Sequence, residues 1–238
     1  MYNREYLNDK NTKNNEQQSS YEQTQSVPAD TVGFLKATYQ LFASSLMAAS
    51  AGSYVGLGIV ESIRGLGFFM IIPVLGLLFL LHAVKHKPGI NLAVLFAFTF
   101  TTGLMIAPLL SVAFGMSGGA GIVGQAFLMT SVAFGGISMF ALTTKRDFSG
   151  MGKMLMIAVI ILIVGSISNI FIQSSLMQLG ISMVGALVFS AFILYDTQKI
   201  IKGGFETPIE ASIALYLDFL NLFISLLQIL MAFGKSDD

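Results

Sequence analysis

A long, almost unbroken run of apolar residues limits this chain to a small set of folds. From about residue 30 to Gly234 the sequence is interrupted only by short charged, polar or glycine-rich stretches. A helix needs about 20 apolar residues to cross the hydrocarbon core of a bilayer, and the interruptions divide this run into segments of that order. We predict membrane-spanning helices over residues 34–59, 65–84, 89–114, 121–144, 154–173, 176–199 and 209–233. The sequence therefore predicts an all-α, polytopic membrane protein.

Composition excludes several other classes of protein. Charged residues make up 11% of the chain, whereas soluble domains carry about 25%, so we expect most of the surface to face the lipid bilayer. Lys plus Arg and Asp plus Glu both number 13, and this neutral balance argues against nucleic-acid binding. The chain has no cysteine, which excludes disulfides, thiol catalysis and cysteine metal sites. We expect no cofactor.

The first thirty residues contrast with the rest of the chain. They are rich in Asn, Gln and Ser and nearly free of aliphatic side chains, so they cannot bury enough apolar surface to offset the entropy cost of ordering. We predict a disordered cytoplasmic tail over residues 1–30 and one membrane domain over residues 31–238.

The distribution of lysine and arginine predicts the orientation of the bundle. The loops after the second, fourth and sixth predicted helices carry most of the basic residues, whereas the other three loops contain Arg64 alone. The basic residues in the first group are Lys85, Lys87, Lys145, Arg146, Lys153, Lys199 and Lys202. Because loops rich in lysine and arginine stay in the cytoplasm, we expect the amino terminus inside and the carboxyl terminus outside.

The first predicted helix carries a row of small residues. Ser45, Ala49 and Ser53 recur every four positions, and Gly52 lies beside them. Such rows allow helix backbones to approach closely in membranes. We therefore expect this helix to pack tightly against a neighbour.

Two aspartates, Asp196 and Asp218, fall well inside predicted helices. A carboxylate at the bilayer centre costs about 2.5–3.5 kcal/mol even on insertion scales, so each needs an explanation. Their midpoint, Thr207, lies in the short connection between the last two helices. An antiparallel hairpin folded about Thr207 places both carboxyl groups at one depth, roughly 10–15 Å from the turn at the usual helical rise.

A pair of aspartates at this depth has a specific chemistry. Two close carboxyl groups in a low dielectric share a proton and titrate together, and Ca²⁺ prefers oxygen ligands such as carboxylates. Because two aspartates supply few ligands, we expect at most a weak Ca²⁺ site at Asp196 and Asp218. The alternative for Asp196 is a surface ion pair with Lys199, one turn further along the helix.

Two of the predicted helices carry stripes of polar residues at helical spacing. The stripe on the last helix consists of Asp218, Asn221, Ser225 and Gln228. The stripe on the fifth helix consists of Ser166, Asn169 and Gln173. These stripes could line a water-filled path, or they could join helices by hydrogen bonds, and the sequence leaves both interpretations open.

Motifs of the common catalytic classes are missing from the sequence. It contains no HExxH, no GxSxG and no Walker loop, so nothing predicts an enzyme. The glycine-rich stretch "GMSGGAG" at residues 115–121 joins two apolar helices and is best explained as a flexible loop.

Several stretches resemble one protein family. "FSAFILYDTQKIIKGG" followed by "ASIALYLDFLNLFISLL" resembles the carboxy-terminal signature of the Bax-inhibitor family. "TTKRDFSGMGKML" is similar to a cytoplasmic loop of its bacterial members, and "KHKPGINLAVLFAFTFTTG" resembles its YccA-like branch. The resemblance implies a seven-helix bundle of the bacterial inner membrane with the last helix at its centre.

The resemblance also implies a function. It implies a pH-sensitive calcium leak in which paired aspartates, here Asp196 and Asp218, hold the closed state. Calcium-leaking bacterial members add an arginine latch near the inner end of the second helix, where this chain has Lys85. Lysine lacks the planar fork of arginine, which weakens a bidentate latch.

Two other functions remain open at this point. The YccA-like branch is associated with modulation of a membrane-embedded AAA protease, so the alternative is a non-conducting protein that binds and modulates such a protease. An intramembrane aspartyl hydrolase is a third hypothesis, but the chain lacks the motifs of that class.

Overall fold

The computed structural model describes residues 29–234, and over that range the chain forms α-helices and no β-strand. The helices are α1 (Ala29–Gly58), α2 (Val60–Leu66), α3 (Ile71–Val84), α4 (Ile90–Phe114), α5 (Gly119–Thr143), α6 (Gly152–Ile172), α7 (Ser175–Ile201) and α8 (Pro208–Gly234). The predicted all-α class is confirmed. Most of the predicted amino-terminal tail lies outside the described residues.

The seven predicted spans correspond to six single helices and one bent pair. Helices α1 and α4–α8 are each long and apolar enough to cross a bilayer. The predicted span 65–84 corresponds to α3 preceded by a 3-10 turn, whereas the segment 61–65, predicted as a separator, lies inside α2, and the axes of α2 and α3 differ by 85°. Gly67 at this junction has a φ of 49°, a conformation that glycine adopts without steric cost. Pro73 lies in the first turn of α3, where its missing N–H breaks no helical hydrogen bond.

Helix α8 lies at the centre of the bundle, as the sequence resemblance implies. It packs against α7, α5, α1 and α4, and half of its most apolar stretch is buried, compared with 11% in the peripheral helix α6. Phe219 of α8 forms edge-to-face contacts with Phe42 of α1 and Phe134 of α5, at centroid distances of 5.7 and 5.6 Å. These three rings connect three helices at the core of the protein.

Helices α1 and α4 are packed backbone to backbone, and glycine makes the approach possible. A Cβ atom on Gly52 would lie 2.1 Å from the carbonyl oxygen of Phe100, and one on Gly103 would lie 2.1 Å from that of Ala49. Neither position can hold a larger side chain without moving a backbone. The small residues Ala49 and Gly52 therefore lie at a tight helix contact, as their spacing predicts.

The two ends of the bundle differ in charge. The end formed by the loops α3–α4, α5–α6 and α7–α8 carries the lysines and arginine named above, and we call it the basic end; the other is the far end. At the basic end Lys202 pairs with Asp147 of the α5–α6 loop. The hydrogen bond from Lys202 lowers the pKa of Asp147 below its ordinary value.

A buried glutamine, Gln198, forms hydrogen bonds with the same α5–α6 loop. Gln198 of α7 accepts a hydrogen bond from the backbone N–H of Phe148 at 2.9 Å and donates one to the carbonyl of Arg146 at 2.7 Å. Its side chain is buried. The loop between α5 and α6 is thus pinned to the end of α7 at two backbone atoms.

Loss of these two bonds is expected to free the loop. In Gln198→Leu, loss of about 1 kcal/mol of restraint should raise the opened population roughly fivefold, and trypsin should cleave faster after Lys145 and Arg146. The rate can be followed by mass spectrometry of the fragments in detergent. Gln173→Leu, at an exposed far-end position, is the matched control. Equal cleavage rates in the two variants would contradict the role of Gln198.

Candidate ion site between the last two helices

The hairpin of α7 and α8 brings Asp196 and Asp218 together. The two helices pack against each other over a short connection, residues 202–207. Both aspartates are buried, with 8% and 5% of their surface exposed. Their carboxyl groups are close enough to interact through charge and through a hydrogen bond when one of them is protonated.

Asp218 lies in a buried environment that penalises its ionised form. Among the described residues, no group donates a hydrogen bond to its buried Oδ2 atom. A buried oxygen without a donor is costly, and an ionised carboxylate at this position would be more costly still. A proton shared with Asp196 would remove one negative charge and supply one hydrogen bond between the two side chains without any basic partner.

The two aspartates differ in their access to water. Asp196 lines a cavity of about 940 Å³ that opens at the basic end, together with Lys153, Lys199 and Tyr195. Asp218 does not line it and lies deeper in the bundle, ten residues from the start of α8, whereas Asp196 lies five residues from the end of α7. Lys199 interacts with Asp196 through its charge. Because Asp196 is buried, the two residues do not form the surface ion pair that the sequence left open as an alternative.

The metal-binding capacity of the pair is small. Within residues 29–234 no group of three or more His, Cys, Asp and Glu side chains is arranged to hold a metal ion. Asp196 and Asp218 could offer carboxylate oxygens to a divalent cation, with water completing its coordination. Such a site would be weak.

The polar residues near the far end form a connected network. Gln228 of α8 accepts hydrogen bonds from Gln178 and Ser182 of α7 at 2.9 and 2.6 Å. Gln178 in turn accepts one from Asn169 of α6 at 3.0 Å. Three helices are thus joined by uncharged side chains, and we call Asn169, Gln178, Ser182 and Gln228 the amide clasp.

The other residues of the predicted stripes have different surroundings. Asn221 donates a hydrogen bond to the carbonyl of Leu217 within α8 at 2.7 Å. Ser225 is buried against Gly185 of α7, where a Cβ would lie 2.8 Å from the serine oxygen. Ser166 is exposed on α6 and lies apart from the stripe of α8.

Lys85 lies at the basic end rather than beside the aspartates. Its ammonium pairs with Glu206 at 2.7 Å and with Glu210 at 3.5 Å, which connects the end of α3 to the start of α8. The hydrogen bond with Glu206 raises the pKa of Lys85 and lowers that of Glu206. Its role as a latch stays a prediction, and these glutamates are its partners in this conformation.

Sequence reasoning missed half of the amide clasp. Gln178 and Ser182 are four residues apart on α7 and so share a face, and that spacing was the available signal. It was not decisive because a polar pair on one helix does not reveal which neighbour it faces. Glu206 and Glu210 were missed for the same reason, since their partner Lys85 is far away in the sequence.

Comparison with known proteins decides the family. The profile of a family described as inhibitor of apoptosis-promoting Bax1 matches residues 31–235. This chain belongs to the Bax-inhibitor family. The resemblance of its carboxy-terminal signature to that family is thereby confirmed, and the helical bundle is that of a Bax-inhibitor family membrane protein.

Bax-inhibitor family relatives include bacterial and viral proteins. An uncharacterized protein of Campylobacter jejuni is 50% identical over 206 residues, 85% of this chain and 89% of that protein. The modulator of FtsH protease YccA of Escherichia coli is 39% identical over 157 residues, 65% of this chain and 70% of that protein. A Golgi anti-apoptotic protein of vaccinia virus is 40% identical over 162 residues, 68% of this chain and 66% of that protein.

Proposed function

We propose that this chain is a pH-sensitive calcium leak channel or transporter of the bacterial inner membrane, gated by Asp196 and Asp218. The observation that carries the proposal is the proximity of two buried carboxyl groups, Asp196 and Asp218, on helices long and apolar enough to cross a bilayer. A pair that shares one proton is a proton-responsive switch. The same oxygens can contact a passing divalent cation.

The surroundings of the pair support a path rather than a sealed core. The cavity that reaches Asp196 from the basic end has a volume of about 940 Å³, which is large enough for hydrated ions. Because basic loops face the cytoplasm, we place this cavity and the amino terminus on the cytoplasmic side. A change in proton occupancy would alter the contact of Asp196 with Asp218 and thus the barrier between this cavity and the middle of the bundle.

Calcium flux measured as a function of pH tests the proposal directly. The purified full-length protein, reconstituted in proteoliposomes that contain a calcium-sensitive dye, should carry calcium at a rate that changes with pH. Protein-free liposomes under the same pH steps are the control. A flux equal to that of the control at every pH would reject the proposal.

A second candidate function is modulation of a membrane-embedded AAA protease. It is favoured by one relative, the Escherichia coli protein named modulator of FtsH protease, which is 39% identical. The polar amino-terminal segment of this chain would be a suitable point of engagement for such a protease. Under this proposal the membrane bundle serves as a binding partner and need not conduct ions.

Deletion of residues 2–28 separates the two candidates. If the chain modulates a protease through this segment, its deletion should slow turnover of the protein and relieve inhibition of the protease in cells. Calcium flux in proteoliposomes should remain at the full-length rate, because the aspartate pair is retained. Unchanged turnover together with unchanged protease activity would count against the second candidate.

A further inference from the structure

We propose that the cavity at the far end is the second mouth of the ion path and that Gln228 is the residue that closes it. This inference rests on the proposed ion-conducting function. It assigns a role to the amide clasp that simple helix packing does not require.

The far-end cavity has the lining expected for a cation entrance. Its volume is about 630 Å³, and none of the side chains that line it is charged. Its polar lining residues are Asn169, Gln173, Ser174, Ser175, Gln178 and Gln228. Amide oxygens can replace water around a hard cation, and three helices and a loop bring these polar side chains to one cavity.

The two cavities together leave only a short closed segment. The basic-end cavity reaches Asp196, which contacts Asp218, and the far-end cavity reaches Gln228. On α8 the step from Asp218 to Gln228 spans about 15 Å at the helical rise. Ser225 lies within this segment, 6% exposed, and presses against Gly185.

The two ends of this segment are closed by different chemistry. The aspartate pair responds to protons, whereas Gln228 holds α7 through two neutral hydrogen bonds, from Gln178 and Ser182. Neutral amides do not titrate, and water can take over their hydrogen bonds at little cost. The amide clasp can therefore open into the cavity without leaving an unsatisfied polar group, and it does so independently of pH.

The absence of cysteine from the chain allows a direct test. In the full-length protein, Ser225→Cys places one thiol in the closed segment, behind the clasp. A charged, membrane-impermeant methanethiosulfonate reagent should modify it slowly. Adding Gln228→Ala removes both hydrogen bonds to α7. When the reagent is supplied at the far end only, this change should raise the rate of thiol modification roughly five- to tenfold.

A control variant and application of the reagent to one side of the membrane distinguish the possible outcomes. Thr130→Val in the same cysteine background removes a hydrogen bond internal to α5 and should leave the rate unchanged. Right-side-out and inside-out vesicles restrict the reagent to one end. Equal rates for Gln228→Ala and Thr130→Val, or faster labelling from the basic end, would overturn the inference. If Ser225→Cys does not fold, Asn221→Cys serves as the probe.

The same labelling separates this inference from the proposed function. Fast labelling of the Gln228→Ala variant in a protein that carries no calcium would reject the calcium leak and keep the far-end mouth. Slow labelling in a protein with pH-dependent flux would reject the mouth and keep the leak.

Discussion

Replacing Asp218 by asparagine is expected to abolish the pH dependence of calcium flux. Asparagine has nearly the same shape, and its amide can donate a hydrogen bond to Asp196 at every pH. The contact between the two side chains then no longer depends on a shared proton. Flux in proteoliposomes, measured over a pH series, should follow a flat line in Asp218→Asn and a titration curve in the wild-type protein.

Two further variants define the origin of that effect. Asp196→Asn should also flatten the curve, because the shared proton belongs to the pair and not to either residue. Glu206→Gln alters an exposed carboxylate at the basic end, which pairs with Lys85, and should keep the titration. A normal pH response in Asp218→Asn would show that the response originates at another group.

Replacing Gly103 by alanine is expected to destabilise the whole bundle. The new Cβ would lie 2.1 Å from the carbonyl oxygen of Ala49, far inside van der Waals contact, and the atoms that it meets belong to helix backbone. Helices α1 and α4 would have to separate along their contact. Overpacking of this kind typically costs about 1–3 kcal/mol, and we expect a value near the top of that range.

The same substitution at a second glycine, used as a control, is expected to leave the stability unchanged or to raise it. Gly136 lies in α5 with no atom within 4 Å of the position that a Cβ would occupy, so Gly136→Ala adds only helix propensity, up to about 1 kcal/mol in its favour. Thermal aggregation in detergent, followed by size-exclusion chromatography, should show Gly103→Ala falling below the wild-type protein and Gly136→Ala equal to or above it. Equal melting of the two variants would contradict a tight α1–α4 contact.

The sequence was informative wherever a feature was local or was enforced by the membrane. Continuous apolar segments predicted the helical class because a backbone in lipid must satisfy its own hydrogen bonds. A proline kink was predicted at Pro73, but the sharp bend between α2 and α3 lies earlier, at Gly67–Met70, where the apolar run continues without a break. Hydropathy records whether a segment prefers lipid, but it contains no information about the direction of its axis.

The aspartate pair shows how far spacing along the chain can lead. Asp196 and Asp218 lie on either side of a short connection, so a hairpin is enough to bring them into the same half of the bundle. That they also face each other depends on the rotation of α7 and α8 about their axes. Packing against α5 and α1 sets this rotation, and the sequence of the hairpin alone does not contain it.

The sequence by itself determined the membrane class, the apolar segments, the family signature and the two aspartates. Tertiary structure alone decided the partners of polar side chains: Gln228 faces Gln178 and Ser182, and Lys85 faces Glu206 and Glu210. The physical reason is the range of the forces involved. Helix formation and transfer into lipid act on consecutive residues, whereas a hydrogen bond or an ion pair requires two side chains to meet within about 3 Å, and only the packed bundle brings distant residues that close.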